Sequence, residues 1–190
     1  MFTRVKTHSN VLCLVALCMT LPATAMASDH VSKGFTVSRK TDNQLAEEVA
    51  HAIRMYPRYD IFDWVEGTVQ NGVVTLTGAV REPFRKGDYE KVVAEIPGVK
   101  RVDNELRVLP LSTFDDQIRW AASRAIYRDP MFTAYAIQAN PPIHIIVENG
   151  KVTLEGVVAT QADKDLANIK AKGVSGVFSV TNNLRVEGGK

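Results

Sequence analysis

Side chains that could do chemistry are few. After residue 27 the histidines are His30, His51 and His144. His51 falls on a helical pattern with no second ligand four residues on. His144 alternates with Ile143 and Ile145, which predicts an outward, solvated or partly packed ring on a strand. Gly173-Val174-Ser175-Gly176 sets a serine between glycines, but a nucleophile elbow needs a glycine where Val177 stands. The pairs Glu47-Glu48 and Asp115-Asp116 read as helix starts, where negative charge opposes the positive end of the helix dipole. No glycine loop has phosphate-cradling spacing. The expectation is a non-enzyme with no catalytic residue, metal or cofactor.

One stripe suits binding instead. Trp120, Arg124 and Tyr127, with Arg128 beside them, fall roughly opposite a core face of Ile118, Ala122, Ala125 and Ile126. Aromatic rings among guanidinium groups suit a phospholipid headgroup layer, where rings take the apolar–polar boundary and arginines pair with phosphate. They equally suit packing against another part of the chain, since aromatics and arginine are enriched at protein interfaces. Read as a lipid site, its residues are Trp120, Arg124, Tyr127 and Arg128.

The elements that must position this stripe occur twice. Val69-Gln-Asn-Gly-Val-Val-Thr-Leu-Thr-Gly-Ala-Val returns at Val147 as Val-Glu-Asn-Gly-Lys-Val-Thr-Leu-Glu-Gly-Val-Val. Gly98, Val99, Val102, Asn104 and Leu106 return as Gly176, Val177, Val180, Asn182 and Leu184. Asn71-Gly72 and Asn149-Gly150 are two-residue hairpin turns, because both residues tolerate positive φ. Gly78 and Gly156 fall at inward strand positions and predict a close backbone approach. A helix precedes each hairpin, with Leu45, Val49, Ala52 and Ile53 on its apolar face in the first copy. Asp42 and Asp115 stand where N-caps are useful, and Pro57 and Pro130 close the helices. A second helix and a last strand follow. The order predicts an α+β fold: two tandem αββαβ domains, each a three-stranded sheet with two helices on one face.

Upstream, Arg4 and Lys6 precede an apolar run from Val11 to Leu21 and an Ala25-Met26-Ala27 cleavage pattern. The run is short of the roughly 20 apolar residues of a membrane span. Both cysteines, Cys13 and Cys18, lie within it; Leu17 before Cys18 is not the small residue that a lipidation signal carries. The expected layout is a cleaved signal peptide 1–27, a leader 28–40, domains 41–109 and 114–188, and a linker 110–113. Beyond Ala27 acidic and basic residues balance at 21 each, so no global footprint for nucleic acid remains.

The repeated V-x-N-G-x-V-T-L-x-G-x-V and the following G-V-x-x-V-x-N-x-L-x-V resemble the BON domain. The resemblance covers both copies. It implies an exported, periplasmic, non-enzymatic protein similar to osmotically inducible envelope proteins. It also implies phospholipid binding, in support of envelope integrity or stress tolerance; with the arginines of the Trp120 stripe, the expected partner is an anionic phospholipid membrane surface. A periplasmic protein-interaction or chaperone-like adaptor, with envelope proteins as partners, is the alternative. The matched residues are structural and bring no catalytic roles.

Overall fold

The computed structural model describes residues 40–188; the expected export segment and the leader to residue 39 lie outside the described residues. The first repeat runs α1 (Asp42–Arg54), β1 (Trp64–Gln70), β2 (Val73–Val80), α2 (Pro83–Ala94), β3 (Arg101–Asn104) and β4 (Arg107–Val108). The second runs α3 (Thr113–Tyr127), a 3-10 turn Pro130–Phe132, α4 (Thr133–Ala136), β5 (Ile143–Glu148), β6 (Lys151–Val158), α5 (Gln161–Lys172), β7 (Ser179–Asn182) and β8 (Arg185–Val186). The class is the α+β expected. The third strand of each sheet is broken in two.

Each hairpin is antiparallel and turns on its Asn-Gly pair, with Gln70 opposite Val73 and Glu148 opposite Lys151. All four turn residues have positive φ. β2 then takes β3 and β4 as parallel neighbours, and β6 takes β7 and β8. Parallel pairing needs a crossover, which α2 and α5 supply. The repeated asparagine explains the broken strand. Asn104 accepts from the Leu106 N–H at 3.2 Å and donates to the Lys86 carbonyl at 2.8 Å. Asn182 does the same with Leu184 and Lys164.

The aspartates at the helix starts have a different duty from the one expected. Thr41 and Ser112 are the N-caps, accepting from Gln44 and Asp115 backbone N–H groups. Asp42 reaches instead to the hairpin turn, where its carboxylate accepts from Asn71 at 2.6 Å and Gly72 at 3.1 Å. Asp115 holds Asn149 at 2.9 Å and Gly150 at 2.8 Å. Turn N–H groups outside the ladder need partners as much as a helix end does. A short acidic side chain at the first turn satisfies two at once.

Each repeat has its own core between helices and sheet. The joint between them is specific. Phe62, from the segment between α1 and β1, is 3 % exposed because it enters the core of the second repeat. Ala79 and Leu109 of the first repeat bury Ile146 of β5, with Trp64 alongside. Burying one such phenylalanine contributes about 1.5–3 kcal/mol to holding the repeats together.

Candidate functional site

The stripe on α3 divides. Trp120, Arg124 and Arg128 follow at four-residue spacing; the tryptophan is 52 % exposed and both arginines are exposed. Neither guanidinium is in an ion pair among the described residues. Tyr127 leaves the stripe, a correction to the sequence reading. It packs on the second core, its hydroxyl donating to the Ile143 carbonyl at 2.6 Å and accepting from the Ile143 N–H at 3.1 Å. Its position overhangs the outer edge of β5, whose backbone groups need partners. Burial raises this phenol above its ordinary range, and it stays neutral.

Trp120 meets the first repeat at Phe62. Its ring stands at 77° to Phe62 with centroids 4.9 Å apart, a favourable edge-to-face contact. Beside it lies a cleft of about 360 Å³ between the repeats, lined by Tyr59, Phe62, Arg81, Trp120, Asn140 and His144. The Arg81 guanidinium lies 5.9 Å above the Phe62 ring. Packing on the first repeat thus leaves about half of Trp120 and both arginines exposed.

His144 is not solvated. It is 5 % exposed, tilted between Tyr59 and Trp64, with Nε2 3.2 Å from the Tyr59 hydroxyl. Strand alternation does turn it away from Ile143 and Ile145, but the first repeat covers that outer face. The signal lay in Ile146, which stands where the first copy has Thr68. The continuous apolar stretch Ile145-Ile146-Val147 breaks the alternation and marks a strand buried on both faces. Tyr59, Phe62 and Trp64, which complete this joint, carried no motif in the sequence.

Burial lowers the His144 pKa to about 4, although the Asp63 and Asp60 backbone and the Asp60 charge pull upward. The unfolded imidazole binds a proton below about 6.5. Between those values the unfolded state holds more protons, so stability falls as pH drops through the window and levels off below it. The loss is about 3 kcal/mol by pH 4. Urea unfolding of parent and His144→Gln across pH 7 to 4 checks it. The parent should lose that much more than the variant, and parallel curves would refute the assignment.

Among the described residues no three His, Cys, Asp or Glu side chains are grouped to hold a metal, and no helix is long and apolar enough to cross a membrane. The BON domain family matches residues 41–110 and 132–188. This chain belongs to the BON domain family. The second BON match begins after α3, so the helix carrying Trp120 lies outside it while filling the place of α1. Osmotically-inducible protein Y of Escherichia coli (strain K12) is 32 % identical over 118 residues, which are 60 % of this chain. The match spans 58 % of that relative's length. A solved structure of CdsD, a structural protein of the type III secretion system of Chlamydia trachomatis, is 14 % identical. It covers 75 % of this chain and 92 % of its own, at a TM-score of 0.30. Its C-terminal domain gives 14 % identity, 77 % and 99 % coverage, and 0.28. Likeness at that level carries no argument about this BON protein.

Proposed function

We propose that this BON protein is exported to the periplasm and docks, without catalysis, on anionic phospholipid through the exposed face of α3. There it supports the envelope under osmotic stress. The observation that carries the lipid reading is the open stripe of Trp120, Arg124 and Arg128. The basic start, apolar run and cleavage pattern support export. The name of the 32 % identical relative supports a role in osmotic stress. Each arginine near an anionic surface contributes about 1 kcal/mol, and a half-exposed indole adds an anchor at the headgroup level. Binding of this size is reversible and depends on salt.

Sedimentation with phosphatidylglycerol-containing and with pure phosphatidylcholine vesicles tests it. The protein should pellet with the first at low salt. Arg124→Ala with Arg128→Ala should weaken partitioning by roughly tenfold or more. Tyr127→Phe should lower stability and leave vesicle binding intact. Equal failure to bind both vesicle types at low salt would overturn the reading.

A further inference from the structure

The two repeats treat the outer edges of their sheets differently. β5 is an edge strand, and its outward backbone groups are capped. The Tyr127 hydroxyl takes both the N–H and the carbonyl of Ile143. The Ile61 carbonyl accepts from Ile145 N–H at 2.7 Å. The buried guanidinium of Arg119 donates to the Val147 carbonyl. β1 is the edge strand of the first sheet, in the same hairpin register. Its outward residues are therefore Val65, Gly67 and Val69, the counterparts of Ile143, Ile145 and Val147. Among the described residues none of their outward backbone groups has a partner. The positions that supply caps in the second copy hold Arg54 in place of Tyr127 and Ala46 in place of Arg119.

This open edge forms the floor of a groove of about 480 Å³. α1 makes one wall through Ala50 and Ile53, and Pro142 and Val157 of the second repeat make the other. We infer that the outer edge of β1 is a docking site for one extended polypeptide strand of a partner protein. Strand addition uses such a row of backbone donors and acceptors for affinity and alternating pockets for side chains. A second copy would bring a groove lined by the same Arg54 and Arg185, so charge disfavours pairing β1 to β1. Arg54 and Arg185 line the groove, while Glu66, its only carboxylate among the described lining residues, already faces Arg185 at 3.4 Å. The occupant is thus an apolar strand with acidic flanks. This stands independently of the lipid reading, since the groove and the α3 stripe share no residue.

Amide hydrogen exchange by NMR on the full chain tests it, with the end-capped peptide Asp-Val-Thr-Val-Thr-Val-Asp as probe. In the free protein, the Val65 and Gly67 amides should exchange at least tenfold faster than those of Ile143 and Ile145. Millimolar peptide should slow Val65, Gly67 and Val69 at least tenfold. The same peptide with its central Thr-Val-Thr replaced by three prolines should not, having lost donors on both of the strand's edges. Ala46→Arg with Arg54→Tyr transplants the second copy's caps and should abolish the effect; if that variant does not fold, the proline peptide supplies the control. Equal protection of both edges in the free protein, unchanged exchange with peptide, or slowing by the proline peptide would each overturn the inference. Slowing by phosphatidylglycerol vesicles but not by peptide would assign the edge to lipid and overturn it as well.

Discussion

Gly156→Ala is expected to destabilise the protein by about 4 kcal/mol, combining backbone strain with overpacking. Gly156 has a φ of +122°, a conformation that side chains rarely adopt. A Cβ there would fall inside the van der Waals shell of the Pro142 carbonyl oxygen, an atom of backbone that no rotamer change can move. The chain entering β5 is pressed against β6 at this point, and Gly78 meets the Trp64 carbonyl in the same way. Thermal unfolding should shift down by roughly 10 °C. Gly87→Ala is the matched control. Gly87 lies within α2 with open space around it, so alanine should gain about 1 kcal/mol from helix propensity. Urea unfolding of both variants decides the matter, and a Gly156→Ala protein within 1 kcal/mol of the parent would contradict the close approach.

That glycine was legible in the sequence because its constraint is local. It sits at an inward strand position, at fixed distance from an Asn-Gly turn, twice. The hairpins, crossover helices and apolar faces were legible for the same reason. Asp42 and Asp115 were misread because one carboxylate stands within reach of two sets of orphan N–H groups. Spacing alone favours the helix end, whereas the turn joins only through tertiary folding. Trp120, Arg124 and Arg128 could be placed from helical period. Tyr127 could not, since the demand on its hydroxyl comes from Ile143, a strand residue across a connection of its own. Phe62 and His144 were hidden for a further reason. Each is an ordinary loop or strand residue within its repeat, and the joint arises only where one repeat covers the other.

Asp63→Ala should cost about 3–5 kcal/mol by leaving a buried arginine without its main partner. Asp63 is fully buried. It accepts from the Arg81 N–H at 2.8 Å, from the Arg85 guanidinium, and from the Tyr89 hydroxyl at 3.3 Å. Burial alone would lower the Arg85 pKa, but hydrogen bonds to Asp63 and Asp60 outweigh it and raise the pKa further. The variant therefore retains a charged guanidinium, with only the more exposed Asp60 at 2.9 Å to answer it. Such a loss is a large share of the 5–15 kcal/mol that holds a typical domain folded. The fold itself does not require this ion pair. In the second repeat Asp163 stands at the place of Arg85 and Ala167 at that of Tyr89, and Asp163 is held by the Tyr135 hydroxyl at 2.9 Å. Replacing both charges should then recover most of the loss, because an apolar pair removes the desolvated charge along with its partner. Denaturant unfolding of Asp63→Ala, Arg85→Met and the double variant measures the coupling. A double variant as unstable as Asp63→Ala would show that Asp63 acts through the Arg81 N–H and Tyr89 rather than through the buried charge.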